Sequence, residues 1–376
     1  MTERTMPSPL LPDGITLPRS RSEHPSIRLR RLLKEKPYVF APGVYDPHGA
    51  QIAMYHGVDA IYFSGYSFAM GHLGATDMDL YSSVEIADGA RRTVSALRKL
   101  QLTAAVGDLE HGVPGKTLEI PPVLVDMDTG YGNVFNVQRT TELYVNAGVA
   151  AAHIEDQVAP KRCGHIAGKA LIPAGEMVGK LRMMRAVADD LGNKDFVIVA
   201  RTDGVSAVDA LEDERGLDLA LERAYRYLDS GIPDLVWCEF PTAERGPVEK
   251  FADEVLKRYP DAQLAFNFSS SFKWFNESNP LTFAELGQLG HKFIFITLAA
   301  QHSMAYGFSR LLRSMAARNE RPYIEMQHAE WADDDLPTKS HHVFSGVPYH
   351  QLLGELYGSA RLGREVTEGL AATSVV

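Results

Sequence analysis

The chain has 376 residues, of which 45% are hydrophobic and 23% charged, a composition typical of a globular protein with a core of ample size. Its formal net charge of −10 argues against a nucleic acid or an anionic membrane as partner, although one buried basic site on an acidic protein can still bind a small anion. Its two cysteines, Cys163 and Cys238, exclude a secreted disulfide framework.

Short apolar runs recur along the chain, and each is followed by a longer amphipathic stretch. The runs are rich in Val, Ile and Phe and almost continuously hydrophobic, which is typical of strands buried on both faces of a parallel sheet. Eight such runs begin at Tyr38, Ala60, Pro121, Ala150, Asp195, Leu235, Gln263 and Lys292.

Helical patterns fill the stretches between these runs. Residues 83–100 predict a helix that begins at a Ser N-cap, and residues 136–148 predict one that lies between Asn and Gly. Eight alternations of strand and helix predict an α/β fold, a (β/α)8 TIM barrel. A doubly wound open sheet is the alternative that this pattern leaves open.

The ends of the chain lie outside the repeat. We predict an N-terminal arm at 1–37, a catalytic barrel at 38–318 and a C-terminal helical extension at 319–376, whose scattered apolar residues suit docking on a neighbouring subunit. No apolar run is long enough to span a bilayer and no hydrophobic signal core opens the chain, so we expect a cytoplasmic protein without a membrane partner.

Polar residues follow almost every predicted strand. In a TIM barrel the carboxyl ends of the strands form one face, where active sites lie, so these side chains are expected to meet there. In chain order they are Ser64, Gly65 and Tyr66, then Asp126 and Asp128, then His153 and Glu155, then Arg201, then Trp237 and Glu239, then Asn267, Ser269 and Ser271, and finally Thr297.

Acidic residues dominate two adjacent strand ends. Asp126, Asp128 and Glu155 follow the third and fourth strands, and Asp77 lies in the loop after the second. Carboxylates clustered without His or thiolate suit Mg2+, and Mn2+ is also possible. The alternative is that each acid caps a helix or pairs with a nearby Arg or Lys.

A basic loop surrounds Cys163. The sequence KRCGH follows the fourth strand, and neighbouring positive charge lowers a thiol pKa, so the thiol is a candidate nucleophile or proton donor. Gly164 favours a mobile lid that closes over substrate. The alternative is a structural cysteine between solvated charges.

Amide and hydroxyl groups cluster after the seventh strand. The alternation in NFSSSF predicts that Asn267, Ser269 and Ser271 share one face of a strand, where they would hold carboxylates together with Thr297 and Arg201. A Ser-rich turn is the alternative. The chain contains no P-loop, no dinucleotide-binding fingerprint and no GxSxG elbow, so those enzyme classes are not indicated.

These motifs, in this order, resemble the isocitrate lyase and phosphoenolpyruvate mutase superfamily: VDMDTGYGN, HIEDQ, PKRCGH, ARTD, WCEF, NFSSSF and FITL. The resemblance runs from about Tyr38 to Ser314. The Asn-x-Ser-x-Ser pattern, Trp237 with Glu239, and Thr297 look like the isocitrate lyase branch in a compact form. The chain departs from the isocitrate lyase pattern at two positions. Arg162 is the residue common at this position in 2-methylisocitrate lyases, and Tyr66 stands where the family usually has Trp.

The resemblance implies Mg2+-dependent retro-aldol cleavage of isocitrate, a tricarboxylate, to glyoxylate and succinate in a homotetramer. Cleavage of 2-methylisocitrate to pyruvate and succinate, phosphonate chemistry on the same barrel, and a catalytically silent dicarboxylate binder remain the alternatives. The resemblance also implies a role for each site residue. The metal would be bound directly by Asp126 and through water by Asp77, Asp128 and Glu155. The glyoxylate end of the substrate would be held by Ser64, Gly65, Tyr66 and Arg201, and the succinate end by Asn267, Ser269, Ser271, Thr297 and His165, with Gly164 and Trp237 also at the substrate. Cys163 would protonate the succinate carbanion, and Glu239 and His153 would adjust the surroundings of the thiol.

Overall fold

Eight parallel strands close into a barrel in the computed structural model of the chain, which describes residues 6–7, 10–11, 15–107, 114–164 and 168–358. Each strand pairs with its neighbours in chain order, and the last pairs with the first. The strands are β1 Val39–Val44, β2 Ile61–Phe63, β3 Val123–Asp126, β4 Ala151–Glu155, β5 Val197–Thr202, β6 Leu235–Cys238, β7 Gln263–Asn267 and β8 His291–Ile296.

The barrel confirms the predicted fold. Each of the eight apolar runs forms one barrel strand, and closure of the sheet excludes the doubly wound alternative. The strands read as continuous apolar runs because both faces are covered, one by helices and the other by the barrel interior.

Helices alternate with the strands and continue beyond the last one. Short 3-10 segments, a π-helical turn at Ala69–Leu73 and one small two-stranded sheet lie in the loops, and a second small sheet, which pairs Met6–Pro7 with Thr16–Leu17, precedes the barrel. The helices are α1 Pro25–Glu35, α2 Pro47–Tyr55, α3 Gly65–Phe68, α4 Ser83–Val106, α5 Val134–Ala147, α6 Ala174–Asp190, α7 Gly216–Asp229, α8 Arg245–Arg258, α9 Phe283–Gln288, α10 Ala299–Arg318, α11 Arg321–Ala332, α12 His341–Ser345 and α13 Val347–Tyr357.

Helix starts lie slightly earlier than their predicted positions. Helix α4 begins after Ser82, whose side chain forms a capping box with Glu85, so the cap is one residue before the predicted Ser83. Helix α5 begins after Asn133 rather than at Asn136, and Asn136 instead completes the capping box. In both helices the residue that caps is the one whose partner three positions later completes a capping box.

One end of the barrel is filled by apolar side chains. Leu29, Leu32 and Leu33 of α1 join a buried cluster with barrel residues that include Val39 and Phe293. Burial of each leucine contributes roughly 1.5–3 kcal/mol, so α1 is bound firmly to the barrel. The carboxyl ends of the strands, at the opposite end, remain for the polar residues.

The helices after β8 are more exposed. None of the residues of α10 is buried, and large apolar side chains such as Tyr306, Phe308 and Trp331 face solvent. Within the described ranges we find no helix with the length and apolarity that crossing a membrane requires.

Candidate active site

A cavity of about 270 Å3 lies at the carboxyl ends of the barrel strands. Its size is at the small end for ligand pockets, so it suits a compact substrate and excludes a large nucleotide. Its wall consists of Tyr62, Tyr66, Thr76, Asp77, Asp126, Lys161, Cys163, Gly164, Arg201, Trp237, Glu239, Asn267, Ser269, Ser271, Thr297 and Leu298.

Asp126, the last residue of β3, is held in place by backbone amides. The N–H of Asp128 donates to its Oδ1 at 3.0 Å, and the N–H of Gly65 donates to its Oδ2 at 3.2 Å. A Cβ on Gly65 would lie 2.7 Å from that same Oδ2, so glycine is required for this approach. Asp128 has a φ of +47°, a left-handed conformation that turns the chain back over Asp126.

Two buried aromatic side chains, His153 and Tyr62, contact the Asp126 carboxylate. His153 Nε2 lies 3.2 Å from Asp126 Oδ1, because register pairs Asp126 with His153 across β3 and β4. The Tyr62 hydroxyl lies 2.8 Å from His153 Nε2 and 3.2 Å from Asp126 Oδ2. Burial raises the pKa of Asp126, but His153 and Lys161 outweigh burial and hold that pKa well below its ordinary value. The carboxylate is therefore ionised.

The acidic side of the cavity suits a hard divalent cation. Asp77 and Asp126 line the wall, and Oδ2 of the fully buried Asp128 has no hydrogen-bond donor among the described residues. The Lys161 ammonium contacts Asp77 and lies 2.8 Å from Asp128 Oδ1, so the cluster already attracts one cation. Carboxylate oxygens are the donors that Mg2+ takes in proteins.

The carboxylates do not form a closed cage. In the ranges that the structure describes, no group of three or more His, Cys, Asp or Glu side chains is placed to hold an ion. Mg2+ needs no such cage, because it retains several waters and binds through one or two carboxylates. Asp126 with Asp77 meets that requirement, so the residues present fit the ion. Burial, together with the charges of Asp126 and Asp77, raises the pKa of Asp128 to about 7.

Arg201 forms the basic side of the cavity. Register places it between Glu155 of β4 and Trp237 of β6. Its Nη1 lies 3.1 Å from Glu155 Oε2, and its Nε and Nη2 donate to the two carboxylate oxygens of Asp203 at 2.9 and 3.0 Å. Burial lowers the pKa of Arg201, but Asp203 and Glu155 raise it well above its ordinary value, so the guanidinium stays charged. Its Cζ lies 4.3 Å from the Trp237 ring centroid.

Residues 161–164, which carry Cys163 and are called the thiol loop below, lie over the basic side of the cavity. Cys163 lines the cavity and is half-buried, whereas Cys238 is fully buried in β6, and burial raises its pKa well above the ordinary thiol value. Gly164 packs so tightly that a Cβ there would lie 2.5 Å from Arg201 Nη2 and 2.9 Å from Glu239 Cγ. His165, a predicted substrate ligand, lies outside the described residues.

The amide and hydroxyl wall has a different backbone from the predicted one. Strand β7 ends at Asn267, and Ser270–Phe272 forms a 3-10 helix that Ser269 caps by accepting from the N–H of Ser271. The prediction of one strand face was therefore wrong, because the local Ser side-chain bond favours a turn over continued strand. The three residues nevertheless reach the cavity, and Thr297 donates to Asn267 Oδ1 at 2.9 Å.

Five predicted site residues lie behind the cavity wall. Each is almost fully buried, and each supports a neighbour: the Ser64 hydroxyl caps α3, for example, and Glu155 pairs with Arg201. These residues are Ser64, Gly65, Asp128, His153 and Glu155.

Sequence reasoning missed Tyr62, Thr76, Lys161 and Leu298 as wall residues. The phenol in the middle of the buried run AIYFSG was an available signal for Tyr62, because a polar group inside a fully buried strand needs a partner. Lys161 was assigned to the charge around the thiol, whereas its ammonium pairs with Asp77 and Asp128.

Comparison with known proteins places this chain among related enzymes. A family model described as phosphoenolpyruvate phosphomutase matches residues 29–316. Isocitrate lyase of Haloferax volcanii is 38% identical over 344 residues, which cover 91% of this chain and 90% of that protein.

Two solved structures extend the comparison. 2,3-Dimethylmalate lyase superposes with a TM-score of 0.69 at 25% identity over 90% of this chain and 97% of that chain. Phosphonopyruvate hydrolase in complex with oxalate and Mg2+ gives a TM-score of 0.67 at 19% identity over 90% of this chain and 100% of that chain, which shows the fold alone. The matched proteins thus share a barrel and act on different small acids.

Proposed function

The chain belongs to the phosphoenolpyruvate mutase and isocitrate lyase superfamily, and on that premise we propose that it cleaves isocitrate to glyoxylate and succinate. It is an enzyme of the carbon–carbon lyase class, as its relatives are. The observation that carries the substrate proposal is that one small cavity combines a thiol, a carboxylate cluster, an arginine and a wall of amide and hydroxyl groups.

The cavity has separate binding groups for the two halves of the substrate. Arg201 and Trp237 lie together, and the Trp237 indole N–H has no acceptor among the described residues, so both can bind the carboxylate of the glyoxylate half. The Asn267 amide and the Ser269 hydroxyl offer neutral donors to the carboxylates of the succinate half, and Thr297 orients that amide by donating to its Oδ1. A cavity of about 270 Å3 accommodates a six-carbon acid.

We propose Mg2+ as the cofactor, with Asp126 as its direct ligand and Asp77 and Asp128 as further ligands through water. When bound, the ion acts as a Lewis acid toward the substrate hydroxyl and the adjacent carboxylate. Asp126 is already ionised and oriented by Gly65 and His153, so its position requires no rearrangement.

Cleavage moves one proton off the substrate and another onto it. The hydroxyl proton passes to a carboxylate of the cavity wall, Asp77 or Glu239, as the carbon–oxygen bond becomes a carbonyl. The carbon–carbon bond breaks at the same time, and its electron pair remains on the succinate carbon. We propose that Cys163 donates its thiol proton to that carbon. Glu239 and Arg201 contact the loop beside the thiol and help to fix its position, and closure of the loop excludes water from the carbanion.

One observation supports a second candidate, 2-methylisocitrate lyase. Arg162 is the residue that this branch commonly has beside the thiol. The test supplies isocitrate and 2-methylisocitrate separately and traps the products with phenylhydrazine. Glyoxylate formed with the higher kcat/KM supports the proposal, and pyruvate formed at an equal or higher kcat/KM contradicts it.

We further propose that the chain assembles as a homotetramer. The exposed apolar side chains of α10 and α11, including Tyr306, Phe308 and Trp331, support burial against another subunit. Light scattering during size-exclusion chromatography measures the mass directly, and a monomer of 41.5 kDa at micromolar concentration would contradict the proposal.

A further inference from the structure

We propose that Gln157 and Lys169 are positioning residues that hold Cys163 over the cavity by binding the backbone on either side of it. Gln157 binds the residue before the thiol. Its Nε2 donates to the Arg162 carbonyl at 2.9 Å, and its Oε1 accepts from the Arg162 N–H at 3.0 Å. Gln157 is only 1% exposed, so this paired contact is shielded from water.

Lys169 binds the residue after the thiol. Its ammonium donates to the Gly164 carbonyl at 2.5 Å and to Asp203 Oδ1 at 2.8 Å. The side chain is fully buried, a placement that is costly for an ammonium unless hydrogen bonds and a counter-charge satisfy it. Charge-assisted hydrogen bonds of this kind are the stronger class, so Gly164 is held firmly.

Both residues connect the loop to the same substrate-binding group. Gln157 Nε2 also donates to Glu155 Oε1 at 3.0 Å, and Glu155 pairs with Arg201. Lys169 pairs with Asp203, which binds Arg201 through both carboxylate oxygens. The thiol loop and the guanidinium therefore share one buried charge network. A ligand carboxylate bound to Arg201 acts on both connections to the loop, the one through Glu155 and Gln157 and the one through Asp203 and Lys169.

Ordinary loop anchoring does not require these side chains. Backbone pairing already fixes the loop ends, because Lys169–Ala170 pairs with Ala207–Asp209 and Gln157 bridges to Leu171. Within the described part of the loop, the two side chains hydrogen-bond to Arg162 and Gly164, the immediate neighbours of Cys163. Their specific effect is thus on the position of the thiol.

The test measures alkylation of Cys163 by iodoacetamide in the full chain, without metal or substrate, followed by mass spectrometry across pH 6–9. The variants are Lys169→Met and Gln157→Leu. The control is Lys292→Met, because the Lys292 ammonium also donates to the backbone, at the carbonyls of Lys36 and Pro37, but does so at the opposite end of the barrel. Cys163→Ser reports any labelling of the buried Cys238.

We expect alkylation about tenfold faster than wild type in both variants at every pH. Loss of one such anchor raises the population of loop conformations that expose the thiol by about that factor. The control should react at the wild-type rate. In turnover assays kcat should fall about tenfold or more, with a smaller change in KM.

Wild-type alkylation rates in both variants would overturn the inference. So would a shift in the pH midpoint of alkylation without a change in the limiting rate at high pH, because that result indicates an effect on the acidity of the thiol instead of its position. If Lys169→Met does not fold, Gln157→Leu decides the question from the other side of the thiol. The kinetic part rests on the proposed function, but alkylation does not. Faster alkylation in a protein that leaves isocitrate uncleaved would therefore refute the substrate and retain the positioning role.

Discussion

Gly164→Ala should disable catalysis while leaving the barrel folded. The added Cβ would lie 2.5 Å from Arg201 Nη2 and 2.9 Å from Glu239 Cγ, whereas carbon atoms in contact prefer separations of about 3.5–4.0 Å. Arg201 cannot withdraw cheaply, because Asp203 and Glu155 hold three of its nitrogens at 2.9–3.1 Å. The loop must instead retreat by about 1 Å.

A displacement of that size at a reacting group costs about a hundredfold in rate. We therefore expect kcat for isocitrate cleavage to fall about a hundredfold. The melting temperature should fall by only a few degrees, because the retreat weakens the Lys169 contact to Gly164 and leaves the barrel core unchanged. Gly179→Ala is the control: it lies in α6 with no atom within 4 Å of its added Cβ, and its kcat should not change. Wild-type kcat in Gly164→Ala would refute the closed, tightly packed loop on which this reasoning depends.

Three further predictions address the thiol, the metal and acid stability. Cys163→Ser should abolish turnover yet bind Mg2+ and succinate within about threefold of wild type by calorimetry, since it replaces one sulfur of the wall by oxygen and leaves the charged groups in place. Full activity would exclude the thiol as proton donor. Lys161→Met should bind Mn2+ at least about tenfold more tightly than wild type, as measured by electron paramagnetic resonance, because the wild-type ammonium repels the ion from Asp77 and Asp128. Weaker binding in the variant would contradict that view. Burial lowers the pKa of His291 from 6.5 to about 4, so the folded state resists protonation and stability is lost as pH falls below 6.5. Between pH 7 and 5 this loss is about 2 kcal/mol in urea unfolding, and His291→Phe should lack that part of the slope; parallel slopes would show that His291 does not contribute.

The parallel α/β class was predictable because strands buried on both faces appear as continuous apolar runs between helices. Eight such runs favoured a barrel over a doubly wound open sheet, but only the pairing of the last strand with the first excludes the open sheet. Exact helix starts were not predictable. Ser82 and Ser83, and likewise Asn133 and Asn136, are residue types that cap helices equally well, and the structure uses the member of each pair that completes a capping box.

The site was predictable as a set of residues and less so as a geometry. Position at a strand end identified Asp126, Arg201 and Asn267, because parallel strands bring their carboxyl ends to one face. Which acids face the cavity depended on register and turns that sequence spacing does not specify. Glu155 lies beside Arg201 across β4 and β5, and the left-handed turn at Asp128 turns it behind Asp126.

Long-range partners were the least predictable part of the site. Lys161 binds Asp77 and Asp128, and Lys169 binds Asp203, over separations in sequence that give no local signal. The sequence predicted positive charge around the thiol, but the structure assigns Lys161 to the acidic cluster. A lysine in a loop carries no mark of the carboxylate that it will meet.

Proton transfer from Cys163 to the succinate carbon can be observed directly by isotope exchange. Succinate incubated in D2O with the enzyme, Mg2+ and oxalate as an unreactive mimic of glyoxylate should gain deuterium at its methylene carbons, as followed by proton NMR. Our account predicts exchange in the wild-type protein and none in Cys163→Ser, with succinate still bound in both. Exchange at the wild-type rate in the serine variant would show that another group handles this proton and would contradict the mechanism.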